Sequence, residues 1–243
     1  MNQCHISESL VGLDFKSRYN LTDYVDSLRP LIIFGMYRDR DMFLYLKHPS
    51  EVILVWQGSD AKKISHEWVE KLKTRKAKHY AISHWIKESL DSYGIESELK
   101  PISATVAKMN PVKKGNSIYF YSSDESEDSA NHYGQHMIEE IKRRTGLNII
   151  RGAWGVYPKE CMPMIYSQCF INLRLTTYDG SPNGALEMGL MGIPSIFNGD
   201  IPGAIKWNNV DDICDSIWNE FINKDKPTNL HEETFKFLNI QFP

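Results

Sequence analysis

The chain has 243 residues, of which 42% are hydrophobic and 24% are charged, a composition typical of a globular protein with one large domain or two small ones. Its formal net charge of −3 gives no electrostatic reason to expect nucleic-acid binding. The four cysteines form no C-x-x-C pair and have no metal-ligand spacing with histidine, so we expect a reduced, cytoplasmic chain without a metal site.

The amino-terminal segment has no basic region followed by an apolar stretch, and we therefore expect no signal peptide. The longest apolar runs, Pro30–Met36 and Val52–Trp56, have the length of strands and are too short to cross a membrane.

Apolar and β-branched runs alternate with helical periods along the chain, which predicts an α/β fold with right-handed crossovers. The runs are nearly continuous, as in parallel strands that are buried on both faces. The predicted strands are Leu31–Tyr37, Glu51–Gln57, His79–Ser83, Ser117–Tyr121, Asn148–Arg151, Phe170–Thr176 and Ser195–Phe197. The clearest helices are Asp39–Lys47, His66–Arg75, His84–Tyr93, His132–Arg144 and Val210–Asn223.

A polar segment with Pro and Gly near residues 104–115 predicts a division of the chain. We expect a shortened first domain at residues 1–105, a second domain at 106–225, and a tail at 226–243 that packs back on the first domain. The acidic, serine-rich patch at Ser122–Ser129 reads as a solvated loop.

The most informative segment, Asp179-Gly-Ser-Pro-Asn-Gly-Ala-Leu-Glu187, follows the strand predicted at Phe170–Thr176. Its two carboxylates stand eight residues apart across a strand-to-helix junction. The start of a helix offers unpaired N–H groups and a positive dipole, which suit an anionic ligand. The two acids suit the hydroxyl groups of a sugar or of ribose. The segment therefore has the groups needed to hold a nucleotide-sugar.

This pattern, with Met-Gly-Leu-Met-Gly-Ile-Pro194 after it, resembles the Glu-x7-Glu motif of retaining glycosyltransferases with the GT-B fold. The resemblance covers residues 148–225 and, loosely, 51–103. It implies two Rossmann-like doubly wound domains, the first of them truncated, and transfer without a metal or other cofactor. It gives Asp179 contact with the transferred sugar and Glu187 contact with ribose, while Gly180 and Ser181 supply amides. Asn183 can cap the motif helix or contact the donor.

The chain departs from this family where the donor diphosphate is bound. The family has an Arg and a Lys after the first strand of the donor domain, but here that strand ends Tyr119-Phe-Tyr-Ser-Ser123. Ser122 and Ser123 can donate hydrogen bonds to phosphate. Arg174, on the strand that leads into the motif, is the leading replacement for the missing cations, and a buried structural ion pair is the alternative.

On the acceptor side, Val55-Trp-Gln-Gly-Ser-Asp60 resembles the strand-end Gly-x-Asp of acceptor domains. Asp60 is the candidate to orient or deprotonate an acceptor hydroxyl. His84 is a second candidate, with capping or packing as its alternative. Arg38 and Arg40 can face the cleft or lie on the surface.

The sequence thus predicts a glycosyltransferase that moves a sugar from a nucleoside-diphosphate sugar to a hydroxyl of a glycan or other acceptor. One alternative is a protein that binds nucleotide-sugars without turnover. Another is a transferase acting on a nucleic-acid base, favoured by the lysine-rich stretch Lys71–Lys78. A phosphosugar epimerase of the same fold is a more distant one. A partner chain can complete the short first half, so a homo-oligomer stays open.

Overall fold

The computed structural model describes residues 3–7, 15–16, 18–62, 64–103, 109–122, 127–153, 155–176, 179–180 and 182–238. The chain forms two compact units. The first contains residues 1–106 with 179–181 and 240–243, and the second contains residues 107–178 and 182–239. The partition therefore places the first acid of the motif in one unit and the helix that follows it in the other.

The described part of the first unit contains one parallel sheet in the order β2-β1-β3-β4-β5-β6. Its strands are β1 (Gln3–Ile6), β2 (Thr22–Asp23), β3 (Leu31–Phe34), β4 (Val52–Trp56), β5 (Lys78–Ala81) and β6 (Glu98–Leu99). Its helices are α1 (Asp39–Lys47), α2 (Ser59–Lys62), α3 (His66–Lys73) and α4 (His84–Ser92).

The central strands of this sheet form the core of the first unit. Every residue of β3 and β4 is buried, because helices cover both faces of a parallel sheet. Trp56 at the end of β4 has no exposed surface, and the rings of Phe15 and Phe34 stack with centroids 4.6 Å apart.

The described part of the second unit contains a second parallel sheet in the order β11-β10-β9-β7-β8. Its strands are β7 (Ser117–Tyr121), β8 (Ile149–Gly152), β9 (Cys169–Leu173), β10 (Ser195–Ile196) and β11 (Ala204–Ile205). Its helices are α5 (Glu127–His132), α6 (Gln135–Thr145), α7 (Met162–Ser167), α8 (Asn183–Leu190), α9 (Val210–Asn223) and α10 (Leu230–Leu238), and a 3-10 turn at Lys159–Cys161 precedes α7.

Alternate residues of β7 point to opposite faces of this sheet, as the pleat requires. Ile118 and Phe120 pack in the cluster that contains residues of α6 and α9. Tyr119 packs in a separate cluster with residues of α7 and with Met188 of α8. The motif helix and Tyr119 are therefore on the same side of the sheet.

Helix ends follow the sequence signals in most places. Asn209 caps α9 by accepting a hydrogen bond from the Asp212 amide at 3.0 Å. Gly94 and Gly146, predicted to end helices, have φ of +69° and +66°, in the left-handed region that favours glycine. Ser83 occupies the N-cap of α4, but its side chain makes no capping bond there.

All seven predicted strands form, and only β7 has the predicted ends at both termini. The helix predicted at His132–Arg144 is divided into α5 and α6, because Gly134 with φ of +80° interrupts it. The acidic patch Ser122–Ser129 was predicted to be a loop, but its residues from Glu127 onward belong to helix α5. Strands β1, β2, β6 and β11 were not predicted.

The described part of the predicted tail, residues 226–238, belongs to the second unit. Helix α10 packs against α8 there, and Leu238 lies in a cluster with Leu186 and Leu190. The Nδ1 atom of His231 is hydrogen-bonded to the carbonyl oxygen of Leu190, at the end of α8. The apolar face of α10 is therefore buried against the motif helix, and packing of the tail on the first domain stays a prediction.

Candidate functional site

The strand order of the second unit creates a topological switch point between β7 and β9. The chain leaves β7 toward β8 on one side and then returns to β9 on the other side. Ligands of doubly wound proteins bind outside the carboxyl ends of the strands at such a point. Tyr121 is the last residue of β7, Ser122 follows it, and Arg174 follows β9. Ser122 and Arg174, two of the predicted site residues, therefore lie at this edge of the sheet.

Arg174 is held at this edge by two aromatic rings. Its guanidinium carbon lies 5.1 Å from the ring centroid of Tyr121 and 4.6 Å from that of Tyr133. The two rings meet edge to face, with centroids 5.2 Å apart. Its backbone N–H donates to the Ile196 carbonyl at 3.0 Å, which anchors the residue to β10. A half-buried guanidinium oriented in this way is a permanent positive charge, suited to phosphate.

Ser122 follows the last residue of β7, and its amide donates to the Gly152 carbonyl at 2.9 Å. The residue has no exposed surface, so a ligand does not reach its hydroxyl in this conformation. Ser123, the second predicted phosphate donor, lies outside the described residues. Both roles stay predictions.

Glu187, the second acid of the motif, lies on α8 and is half-buried. The hydroxyl of Tyr166, on α7, donates a hydrogen bond to Oε2 of Glu187 at 3.0 Å. Tyr119 packs edge to face on Tyr166, with ring centroids 5.0 Å apart, and the two hydroxyls are hydrogen-bonded to each other. The motif acid is therefore paired with a buried tyrosine, which the sequence pattern did not indicate.

The first turn of α8 is the strand-to-helix junction predicted from the motif. Pro182 occupies the N-cap and has no capping side chain, so Asn183 is the first helical residue and does not cap the helix. The amides of the first turn have no acceptor within the helix itself, which is general for helix starts. Contact of Asn183 with a donor stays a prediction.

The first acid, Asp179, and its neighbour Gly180 belong to the first unit. The indole Nε1 of Trp85, on α4, donates to the backbone carbonyl of Asp179. A Cβ atom at Gly180 would overlap the backbone carbonyl of Gln57, so only glycine fits at this close approach. Ser181 lies outside the described residues. The sugar role of Asp179 and the amide roles of Gly180 and Ser181 stay predictions.

Asp60, predicted as the acceptor-side acid or base, is buried at the end of β4. Its carboxylate accepts hydrogen bonds from the amides of Met36, Gln57, Gly58 and Ala61 at 2.7–3.3 Å. Burial raises the pKa of the Asp60 carboxyl, and these amides offset part of that rise. The contacts join the ends of β3 and β4 and are those of a structural carboxylate, so they do not support the predicted catalytic role.

Asp41, which was not predicted as a site residue, is a second buried carboxylate. It lies on α1, and its side chain contacts residues at the end of β1. Its carboxylate accepts from the amides of Tyr37 and Arg38 at 3.0 and 2.9 Å, from the Ser7 hydroxyl, and from His5 Nε2 at 2.7 Å. Burial raises the pKa of Asp41, but these hydrogen bonds outweigh it and leave the pKa below its ordinary value. Each carboxylate belongs to the helix that follows a buried strand, Asp41 after β3 and Asp60 after β4.

The other polar candidates are mostly engaged in local contacts. His84 is the first residue of α4 and is exposed. In the lysine-rich stretch, Lys71 pairs with Glu67, Lys73 with Glu70 and Lys78 with Glu51. These ion pairs cancel much of the positive charge that favoured a nucleic-acid substrate.

No group of three or more His, Cys, Asp or Glu side chains in the described ranges could hold a metal ion. None of the helices described above is both long enough and apolar enough to cross a membrane.

No protein-family model matches the chain, and no curated protein matches it. Solved structures do match. TarM is 12% identical with a TM-score of 0.58, and the match covers 94% of this chain and 54% of TarM. Sucrose-phosphate synthase from Thermosynechococcus elongatus is 10% identical with a TM-score of 0.58 over 95% of this chain and 72% of that enzyme.

The α,α-trehalose-phosphate synthase (UDP-forming) from Burkholderia vietnamiensis is 9% identical, with a TM-score of 0.51 over 94% of this chain and 80% of that enzyme. These neighbours are GT-B glycosyltransferases, and the predicted α/β, GT-B-like fold with two parallel Rossmann-like sheets is confirmed. At such identities the likeness shows the fold alone. The chain spans about half the length of TarM, since 54% of that chain is covered.

Proposed function

We propose that this chain is a glycosyltransferase that moves a sugar from a nucleoside-diphosphate sugar to an acceptor hydroxyl. The observation that carries the proposal is the Arg174 guanidinium, held by two tyrosine rings beside the switch point of the second sheet. The fold also supports the proposal, because the similar solved structures are GT-B glycosyltransferases. The sequence motif supplies the two acids that such a donor needs.

The proposed roles follow the charges that develop during transfer. The bond from the anomeric carbon to the diphosphate breaks, so negative charge builds on the leaving group. Arg174 and the first-turn amides of α8 stabilise that charge, and no metal is required for this. Glu187 binds the ribose hydroxyls, and Asp179 with the amides of Gly180 and Ser181 binds the sugar.

Retention of the anomeric configuration is part of the proposal and rests on the motif. The acceptor oxygen forms its bond to the anomeric carbon on the face that the diphosphate leaves, and the acceptor proton passes to the departing phosphate oxygen. This proton path suits a first unit in which the Asp60 carboxylate is already occupied by backbone amides.

UDP is the nucleotide that we propose first. A solved S. aureus TarM mutant is in complex with fondaparinux, α-GlcNAc-glycerol and UDP, and the trehalose-phosphate synthase neighbour is described as UDP-forming. The donor is therefore proposed to be a UDP-sugar, and the acceptor a hydroxyl of a glycan or another small alcohol.

A thermal-shift titration with UDP, GDP, ADP and their sugar conjugates tests the proposal. A ligand at about a hundred times its dissociation constant stabilises the folded state by about 2.7 kcal/mol, which raises the melting temperature visibly. We expect a shift with UDP ligands that is lost in Glu187→Ala. The exposed acid Glu139 on α6 provides the control, since Glu139→Ala should keep the shift. A shift equal in wild type and Glu187→Ala would contradict the proposed donor site.

A binding protein without turnover is the second candidate. The observation in its favour is that the predicted acceptor-side acid, Asp60, is saturated by amide hydrogen bonds. Release of free nucleoside diphosphate over many turnovers, in the presence of acceptors, separates the two. Sustained release supports the enzyme, whereas tight donor binding with no release over hours supports the binding protein.

A further inference from the structure

Three side chains from three elements of the second unit form a hydrogen-bonded chain that ends on the motif acid. Tyr119 comes from β7, Tyr166 from α7 and Glu187 from α8. The Tyr166 hydroxyl donates to Oε2 of Glu187 at 3.0 Å, and the Tyr119 hydroxyl is hydrogen-bonded to that of Tyr166. Both tyrosines are buried, whereas Glu187 is half-buried.

Burial makes these hydrogen bonds hard to replace. Tyr119 and Tyr166 are each 3% exposed, so their hydroxyls have little access to water and must keep a protein partner. Burial, followed by nearby charged or ionisable groups that include Glu187, raises the pKa of both tyrosines above the ordinary value. Both therefore stay protonated, and Tyr166 stays a donor, at any pH at which the protein is used.

The backbone leaves space for both hydroxyls at two glycines. A Cβ atom at Gly184, in the first turn of α8, would lie 3.2 Å from the Tyr166 hydroxyl. A Cβ atom at Gly152, the last residue of β8, would overlap the Tyr119 hydroxyl. The glycines of α8 and β8 therefore leave room for the hydroxyls of Tyr166 and Tyr119.

We propose that Tyr166 is a positioning residue that holds the Glu187 carboxylate in the orientation in which it binds the ribose hydroxyls of the donor. The inference rests on the proposed function. A glutamate side chain has several rotamers, and ordering it on binding weakens affinity. Donation from Tyr166 orders the side chain beforehand.

The test compares nucleotides that differ only in the ribose hydroxyls. UDP, GDP and ADP are each titrated against their 2′,3′-dideoxy analogues by calorimetry, using wild type, Tyr166→Phe, Glu187→Ala and the double variant. We expect wild type to prefer the ribonucleotide, and Tyr166→Phe to lose about tenfold in affinity for it while binding the dideoxy analogue as wild type does. In the double variant, the loss should equal that of Glu187→Ala alone, because Tyr166 acts through Glu187.

Two further variants separate positioning from a general loss of packing. Tyr157→Phe removes a hydroxyl from a half-buried tyrosine of the same apolar cluster and should leave the ribonucleotide preference unchanged. Tyr119→Phe keeps the Tyr166–Glu187 bond and should reduce the preference by only about twofold to threefold. It also provides a readout if Tyr166→Phe does not fold.

Each contrary result has a distinct meaning. A preference that persists in Tyr166→Phe but disappears in Glu187→Ala overturns the positioning role and leaves the proposed function in place. A preference that persists in Glu187→Ala overturns the ribose role, and the inference with it. If wild type binds none of the nucleotides, both the proposed function and the inference fall.

Discussion

Burial of the His79 imidazole makes the stability of the first unit depend on pH. Burial lowers the pKa of His79 from 6.5 to about 4. Trp56 Nε1 donates to His79 Nδ1 at 3.2 Å, so protonation at that nitrogen also breaks a buried hydrogen bond. Between these two pH values the unfolded chain binds more protons than the folded chain. Stability is therefore fully present above pH 6.5 and is lost as the pH falls toward 4.

We predict that His79 accounts for about 3 kcal/mol of acid destabilisation, from roughly 1.4 kcal/mol for each unit of pKa shift. Urea unfolding of wild type and His79→Gln at pH 7 and pH 4.5 measures this contribution. The free energy of unfolding should fall less with pH in the variant, which has no imidazole to protonate. Equal pH dependence in the two proteins would show that His79 does not titrate on unfolding.

The amide contacts of Asp60 predict that its replacement harms folding more than chemistry. In Asp60→Asn one carboxylate oxygen becomes an NH2 group that faces backbone N–H donors, so at least one buried amide loses its acceptor. We expect the free energy of unfolding to fall by about 2 kcal/mol. The exposed Asp91→Asn is the control and should change it by less than about 0.5 kcal/mol.

Donor turnover under conditions in which Asp60→Asn is folded decides between the two roles of this residue. The structural role predicts turnover near that of wild type. Loss of turnover in a fully folded variant would restore the catalytic role expected from the sequence.

The sequence indicates individual candidate site residues only where their spacing itself carries the chemistry. Asp179 and Glu187 stand out because eight residues separate them across a strand-to-helix junction. Tyr166 lies 21 residues before its partner Glu187, and no local pattern links the two. The same holds for the tyrosines around Arg174, because packing between elements brings them together.

Close packing of α10 on α8 depends on one glycine. A Cβ atom at Gly189 would lie 2.8 Å from Oγ1 and 3.2 Å from Cγ2 of Thr234, which is tighter than normal contact. Gly189→Ala should therefore force the helices apart and lower the free energy of unfolding by about 1–2 kcal/mol. Chemical denaturation of the purified variant measures this change.

Thr234→Ala should reverse the sign of the Gly189→Ala effect. Both close atoms of Thr234 are removed, and among the described residues its buried hydroxyl has no hydrogen-bond partner whose loss would matter. In this background alanine at position 189 should stabilise the protein by about 0.5 kcal/mol, because glycine inside a helix costs backbone entropy. Additive effects of the two substitutions would contradict the described packing.

Long apolar runs and clear helical periods made most elements predictable. Strands β3, β4 and β9 are wholly buried, and their sequences are apolar throughout except for Asn172 in β9. Helix α9 begins and ends at the predicted residues, with Asn209 as its cap. Strands of two residues, such as β2 and β6, contain too few positions for a period to show.

The fold class was predictable from the alternation of strands and helices, but the strand order was not. Local patterns do not show that β7 lies between β8 and β9, which is what creates the switch point. The packing of α10 was also beyond the sequence, since an apolar helical face does not reveal its partner. The predicted domain bounds and the residues of the donor site remain predictions to be tested on the protein.

Amide hydrogen exchange with and without nucleotide tests whether a nucleoside diphosphate binds at the carboxyl edge of the second sheet. The protein is measured with millimolar UDP, GDP and ADP in turn. We predict that one nucleotide slows exchange in peptides containing Tyr121–Ser122, Arg174 and the first turn of α8, and leaves β1 to β5 unchanged. No protection with any nucleotide, or protection confined to the first unit, would contradict nucleotide binding at this edge.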